Sequence, residues 1–212
     1  MALDSLKDLY VEELRDLYNA ETQLLKALPQ MAKVASAPEL KSAFTEHLAI
    51  TKNQLVRLDT IFTELSLSPK GKKCKAMEGL IAEAKEILQE DGNPAVIDAA
   101  LIASAQRVEH YEIAGYGCVR TFARLLGFAD AEKLLQETLD EEGEADKKLT
   151  DLADTIINVQ ADEADDDDDD DSDDDADVGD DDAAVDEEED EDMDKTPVVN
   201  KAAKAKTPAR KM

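Results

Sequence analysis

Tryptophan, cysteine, histidine and aromatic residues are scarce in this sequence. Its 212 residues include no tryptophan, two cysteines, two histidines and 4% aromatic side chains. Cys74 and Cys118 are too few and too far apart for a disulfide framework or a zinc motif, so we expect reduced thiols. No apolar run approaches the roughly 20 residues of a membrane-spanning helix. The first ten residues, MALDSLKDLY, carry charges where a signal peptide has an apolar block. We therefore expect a cytoplasmic protein that makes no membrane contact.

Negative charge is what the sequence has in excess, and most of it lies near the C-terminus. The chain carries 52 acidic and 24 basic side chains. Residues 162–194 contain 24 acids and no base, whereas residues 195–212 contain six bases and no acid. The remaining 28 acids and 18 bases give the first 161 residues a net charge of −10, which is ordinary for an acidic domain. The composition therefore predicts a domain over residues 1–160, an acidic tail over 161–194 and a basic tail over 195–212.

Neither tail has the composition of a folded segment. The acidic tail cannot bury enough apolar surface to offset its ordering entropy, and its charges repel one another, so we expect disorder. Its simplest role is to keep the chain soluble, and the alternatives are binding of metal cations or basic proteins and mimicry of nucleic acid. The basic tail, KTPVVNKAAKAKTPARKM, resembles the tails of linker-histone-like proteins. Its six bases would allow weak, salt-sensitive contacts with nucleic acid.

The first 160 residues have the composition and the apolar spacing of a helical bundle. Alanine, leucine, glutamate and lysine, all strong helix formers, predominate. Apolar residues at helical spacing predict helices over about residues 3–35, 38–65, 74–89, 94–126 and 130–159. We expect Pro29 to kink the first helix, Ser36 to cap the second and Gly127 to end the fourth. The loop lengths predict an all-α, ferritin-like four-helix bundle with an extra short helix in its long crossover.

Each long helix places a polar side chain at mid-length on its apolar face. These inward residues are Glu21, His47, Glu109 with Glu112 one turn further on, and Glu142. Buried carboxylates repel one another unless a cation compensates them. Carboxylate and imidazole ligands from facing helices are also how helical bundles hold iron or manganese. The pattern therefore indicates a metal site, the alternative being separate side chains that reach the surface or bind water.

Several polar neighbours of these residues are predicted to lie outside the site. Glu46 is rotated by about 100° from the inward histidine and should face solvent, and Glu141 lies at the edge of its stripe. We favour His110 as a surface histidine over a group that orients a carboxylate. Tyr111 and Tyr116 fit core positions better than partners of ligands or electron relays.

Several long strings resemble the YciE/YciF family of stress-associated ferritin-like proteins. They are LYNAETQLLKALPQMA, CKAMEGLIAEAKEIL, DAALIASAQRVEHYEIAGYG and LLQETLDEEGEADKKLTDLA, and the similarity covers about residues 3–158. The resemblance implies a rubrerythrin-like bundle, a homodimer and a di-metal centre, in a family whose reaction is not established. It places the family's carboxylates on Glu21, Glu109, Glu112 and Glu142 and its histidine on His47.

The second helix departs from the family pattern. Where the family typically reads HLEET, this chain reads HLAIT, so Ala49 and Ile50 stand at two glutamate positions. Ile50 lies one helical turn from His47, where a carboxylate ligand from this helix would sit. The chain also lacks the Glu-x-x-His pairs of ferritins, so the sequence leaves open a site for two metal ions, for one or for none.

The resemblance implies a stress-protective protein whose iron or manganese would react with peroxide or dioxygen. The alternative is a non-catalytic dimeric bundle that protects other proteins during stress through its polyanionic tail. Glutamate at residue 50 would favour the first hypothesis, and Ile50 weakens it. The sequence therefore leaves open whether the protein is an enzyme.

Overall fold

The computed structural model describes residues 3–166, which form helices and connecting loops and contain no strand. The helices are α1 (Leu6–Val34), α2 (Pro38–Glu64), α3 (Lys75–Ile87), α4 (Pro94–Leu126), α5 (Ala129–Leu152) and α6 (Asn158–Asp166), with a π-helical turn at Ala153–Ile157 between the last two. Within this part of the chain, no helix combines the length and the apolarity that a membrane crossing requires. The all-α fold class is confirmed.

The helices form two antiparallel pairs joined by a long crossover. α1 packs against α2, and α4 packs against α5, in each case across a connection of two or three residues. Contacts of α1 with α4 and of α2 with α5 close the bundle, while α3 lies in the crossover and packs on α4 and α1. This is the ferritin-like arrangement that the loop lengths predicted.

The turn between α1 and α2 is held by a residue of α4 and not by the predicted Ser36 cap. Ala37 is the residue that precedes α2, and no side chain of the turn caps the helix. The buried carboxylate of Asp98 instead accepts the N–H groups of Ser36 at 2.8 Å and of Ala37 at 2.7 Å. Ser36 is therefore not the cap, because a carboxylate from a neighbouring helix satisfies these free N–H groups.

The other helix ends follow the local sequence more closely. α1 continues through Pro29 without interruption. α4 ends at Gly127 in the left-handed conformation (φ 80°), as its position after Leu126 predicted. α6 continues to Asp166, past the residue at which the acidic tail was predicted to begin. The predicted acidic and basic tails otherwise lie outside the described residues.

The apolar interior consists of two clusters, one toward each end of the bundle. The first includes Leu24, Phe44, Leu101 and Leu149, and the second includes Leu14, Leu58, Val119 and Leu135. Between them, all four long helices bury polar side chains, namely Glu21, His47, Thr51, Gln54, Glu109, Glu112, Thr138 and Glu142. We call this set the polar layer. Buried polar groups need partners, so this layer is the place in the described bundle where a ligand would be stabilising.

Candidate metal centre

Four of the five predicted ligands meet in the polar layer. His47, Glu109, Glu112 and Glu142 each offer one ligand atom, and these atoms all lie within 4.8 Å of one another. Nε2 of His47 is 3.5 Å from Oε1 of Glu109 and 3.8 Å from Oε2 of Glu142. All four side chains are buried. We call these four residues the Glu/His cluster.

Glu21, the fifth predicted ligand, lies in the polar layer but outside this close-set group. It is fully buried on α1, and the hydroxyl of Tyr116 donates a hydrogen bond to its Oε1. Its other oxygen, Oε2, has no hydrogen-bond partner among the described residues. Burial first, and then the charge of Glu21, raise the pKa of Glu112. Glu21 is therefore close enough to interact with the cluster electrostatically.

The cluster contains buried polar atoms that have no partner in the described part of the chain. They are both ring nitrogens of His47, both carboxylate oxygens of Glu112, and Oε2 of Glu109 and of Glu142. Most buried polar atoms in proteins are hydrogen-bonded, and an unpaired one costs about 1–3 kcal/mol, more if it is charged. A cation bound among these oxygen and nitrogen atoms would remove this cost.

Burial also controls the protonation of the cluster. It raises the pKa of Glu109 to about 7 and those of Glu112 and Glu142 well above the ordinary range, and neighbouring carboxylate charges raise the last two further. Burial lowers the pKa of His47, which leaves the imidazole neutral, the form that binds metal ions. Since His47 is neutral, its contacts with the glutamates are not ion pairs, and the cluster has no positive charge of its own that would favour ionised carboxylates.

Glu142 is oriented by a network that the sequence analysis did not identify. The side-chain amide of Gln54 donates to Oε1 of Glu142 and, at 3.3 Å, to Glu141. The guanidinium of Arg57 holds both oxygens of Glu141 at 2.6 Å. Gln54 and Arg57 follow His47 along α2 by seven and ten residues, a helical spacing that could have indicated them.

The predictions for two exposed neighbours are confirmed. Glu46 is exposed and pairs with Lys148 of α5 at 2.5 Å. His110 is exposed as well, and its Nε2 lies 3.2 Å from the carboxylate of Asp146. Both residues are one position away from a cluster residue, so the helical rotation correctly separated inward from outward side chains.

Tyr111, Tyr116 and Cys74 form hydrogen bonds that hold the helices of the bundle in place. Tyr116 is a core residue, as predicted, although its hydroxyl also orients Glu21. Tyr111 is partly buried, donates to Asp16, and lies 3.0 Å from the thiol of Cys74. Cys74 is buried and precedes α3, where its sulfur accepts the N–H of Met77. The thiol therefore has more of a role at this helix end than the sequence suggested.

Ile50 lines a cleft beside the cluster. This α2–α5 cleft has a volume of about 210 Å³ and is bordered by residues of both helices. His47 and Glu109 form its inner end, and Ile50 is part of its wall. Ala49 is exposed. Neither altered residue of the HLAIT string supplies a carboxylate to the polar layer.

Fold and site together define the class to which the protein belongs. Two helix pairs joined by a long crossover, with glutamates and a histidine facing one another inside, make a ferritin-like bundle whose buried His/Glu group could hold a metal ion. The model of one protein family, described as a domain of unknown function (DUF892), matches residues 5–162. The chain belongs to this family, and its 47% identity to the curated Protein YciF confirms the resemblance found in the sequence.

Relatives from Escherichia coli and Rhodopseudomonas palustris match this chain over nearly their full length. Protein YciF of Escherichia coli K12 is 47% identical over 163 residues, which is 76% of this chain and 98% of YciF. The crystal structure of the E. coli stress protein YciF has a TM-score of 0.71 and covers 73% of this chain and 98% of that one. YcfI of Rhodopseudomonas palustris is 43% identical, with a TM-score of 0.68, and covers 70% of this chain and 94% of that one.

Proposed function

We propose that the Glu/His cluster binds one iron or manganese ion and that the protein acts in stress protection by handling peroxide or dioxygen. The observation that carries this proposal is the meeting of four buried side chains whose ligand atoms lie within 4.8 Å of one another, each side chain having at least one polar atom without a partner among the described residues. The role in stress protection is suggested by the E. coli relative, which is called a stress protein. We further propose that the protein is cytoplasmic and acts as a homodimer.

The donor set supports a transition metal. Three carboxylates and one imidazole suit divalent iron, manganese or zinc, whereas calcium and magnesium favour sites made only of oxygen. α2 contributes His47 but no carboxylate, so the set supports one ion better than the two held by ferritin-like carboxylate sites. Glu21, oriented by Tyr116, is the candidate for a further ligand. A bound iron or manganese ion would supply the redox chemistry that the side chains lack.

The rest of the polar layer would hold the ligands in place. Gln54 fixes one oxygen of Glu142, and Arg57 holds Glu141, to which the same amide donates a second, longer hydrogen bond. The two apolar clusters exclude water above and below the layer, which strengthens electrostatic interactions inside it. In such a site the residues would bind and orient the ion, and the α2–α5 cleft, whose lining includes His47 and Glu109, would give access to it.

Metal analysis of the full-length chain, purified without chelator, tests this proposal. We expect roughly one iron or manganese per chain, as one set of ligands supports. Glu109→Ala should lower metal content and melting temperature together, because it removes a ligand and a bound ion stabilises the folded state. His110→Ala, on the same helix but exposed, is the matched control and should keep its metal. Unchanged metal content in Glu109→Ala would remove Glu109 from the site.

Ile50→Glu distinguishes a functional site from one that has lost its metal. The substitution places a carboxylate one turn from His47, as the family typically has. Metal in both proteins would show that Ile50 is compatible with binding. Metal in the variant alone would mean that this bundle has lost a binding site present in its family.

In α2 this chain has Ala49 and Ile50 where the family typically has two glutamates. This difference favours a second candidate function. A metal-free bundle would act as a dimeric scaffold whose acidic tail, residues 161–194, shields other proteins and attracts cations or basic partners. The basic tail, residues 195–212, would add weak nucleic-acid contacts. Protection of a test enzyme during drying, lost on removal of residues 167–212 and independent of metal, would support this function over the first.

A further inference from the structure

The α2–α5 cleft has an apolar wall. Phe44 and Ile50 of α2 face Ala145 and Leu149 of α5 across it. Its volume of about 210 Å³ exceeds the roughly 150 Å³ of an engineered apolar cavity that binds benzene. The cleft is therefore large enough for one compact organic molecule.

The inner end of the cleft is polar and lacks partners. His47 and Glu109 lie there, and only 7% and 3% of their surfaces are exposed. Both ring nitrogens of His47 and Oε2 of Glu109 have no hydrogen-bond partner among the described residues. A hydroxyl or hydroperoxide group that reached this point could donate to the carboxylate and accept from or donate to the imidazole.

The rim of the cleft disfavours anions. Glu46, Glu141 and Glu144 border it. Lys148, the one lysine among its described lining, is paired with Glu46, and Arg57, outside the lining, is paired with Glu141. An anion entering the cleft would approach these carboxylates and then Glu109 without meeting an unpaired lysine or arginine in the described lining. The charge around the cleft therefore disfavours anions, and the apolar wall disfavours any charged group that would lie against it.

From this arrangement we infer that the cleft binds an uncharged organic molecule with an apolar body and one hydroxyl or hydroperoxide head, placing the head against His47 and Glu109. The body contacts Phe44, Ile50 and Leu149. As a substrate site, this inference rests on the proposed function and makes organic hydroperoxides the substrate class. Binding itself needs only the cleft, so it can be tested without metal.

Benzyl alcohol is a suitable unreactive probe. Its binding to the full-length, chelator-treated protein can be followed by NMR chemical-shift titration, with toluene and benzoate for comparison. We expect benzyl alcohol to bind more tightly than toluene, which has no head, and benzoate not to bind. Ile50→Glu and Ala145→Phe should each weaken binding by roughly tenfold or more, by introducing charge or filling the space. Val56→Glu, the same charge at an exposed position of α2, should leave binding within about twofold.

Several outcomes would overturn the inference. They are no binding of benzyl alcohol to the parent chain and tighter binding of benzoate than of benzyl alcohol. A third is that Ile50→Glu and Ala145→Phe, both folded, bind benzyl alcohol as tightly as the parent chain does. Binding seen only after removal of residues 167–212 would show that the chain's own tail occupies the cleft, which would also overturn it. Because the titration is done without metal, its failure is separate from a failure of metal binding.

Discussion

At residue 112 a carboxyl group lies fully buried, and neither of its oxygens has a partner among the described residues. Glu112 shares the polar layer with Glu21, Glu109 and Glu142, and burial raises the pKa of each of these carboxyl groups. In the absence of metal the folded state therefore favours protonated carboxyl groups. In its presence the ligands must ionise, so metal binding and proton release are coupled.

The metal-free protein should lose stability as the pH rises from about 4.5 to about 7. The pKa of Glu109 is about 7 in the folded state against an ordinary 4.5. Its protonation therefore contributes fully to the stability of the folded state below pH 4.5, and this contribution is lost as the pH rises to 7. This shift is equivalent to about 3 kcal/mol at most. His47, with a lowered pKa, opposes this trend below pH 6.5, but it is one group against four carboxyls.

Urea unfolding in chelator across this pH range measures the effect. Glu112→Gln should flatten the pH dependence by removing one buried ionisable group, and Glu144→Gln, an exposed control on α5, should leave it unchanged. Stability that rises with pH in metal-free parent protein would contradict the expected sign.

A second prediction at this scale concerns Asp98. Asp98→Ala should destabilise the bundle by about 1–3 kcal/mol, because it removes the acceptor for the N–H groups of Ser36 and Ala37 at the start of α2. Chemical denaturation measures the loss. Asp154→Ala, at an exposed position, is the control and should change stability by less than about 0.5 kcal/mol. Equal effects of the two substitutions would show that the Asp98 bonds contribute nothing.

At the scale of the helix, α4 illustrates how close packing can outweigh helix propensity. It contains Gly115 and Gly117 two residues apart. A Cβ atom at residue 115 would lie 2.8 Å from Cδ2 of Leu17, whereas a Cβ atom at residue 117 would meet nothing within 4 Å. Leu17 is buried in the second apolar cluster and has little room to move. Gly115 therefore allows α1 and α4 to approach each other.

Alanine substitutions at these glycines should differ in sign or size. Gly117→Ala should stabilise the bundle by about 0.5–1 kcal/mol, because alanine is the better helix former. Gly115→Ala should gain less or be destabilising, because Leu17 must shift. Thermal unfolding of the two variants compares them, with Gly143→Ala in α5, also free of contacts, as a second reference. Equal stabilisation at all three positions would show that the packing of α1 against α4 can accommodate a methyl group at residue 115.

Helix positions were predictable from local patterns, but contacts between helices were not. Apolar spacing and Gly127 located α4 because the signals lie within the helix itself. The role of Asp98 depends on Ser36, 62 residues earlier, and no local pattern indicates it. Likewise, the spacing of seven residues from His47 places Gln54 on the inward face of α2, but its hydrogen bond to Glu142 joins residues 88 apart. Inward faces can be read from one helix, whereas partners require the whole bundle.

At the scale of the whole molecule, the described bundle ends with a π-helical turn that belongs to the core and a short helix, α6, that follows it. Ala153 and Ile157, in the π-helical turn, are buried in the first apolar cluster. The acidic residues that follow suggested a tail from residue 161, but α6 continues to Asp166 and packs on α4. Composition overestimated the tail here because acidic residues can still occupy the exposed face of a helix.

Truncation should separate the bundle from its tail. A chain ending at residue 166 should keep its melting temperature and metal content nearly unchanged, because it retains every described helix. A chain ending at residue 152 should be destabilised by about 2–5 kcal/mol or more, since it loses the buried Ile157. Circular dichroism melts and metal analysis of both chains test this. A large loss on the first truncation would show that the tail contacts the bundle.

The polar layer has a further consequence for how the chain chooses its fold. Its members come from four helices, with apolar residues before and after them on each helix. If any helix slid by one turn, about 5.4 Å, its carboxylate or imidazole would enter an apolar cluster and an apolar side chain would enter the layer. Misaligned bundles are therefore penalised, while a uniformly apolar interior would tolerate them. The groups that are costly to bury thus fix the alignment of the four helices.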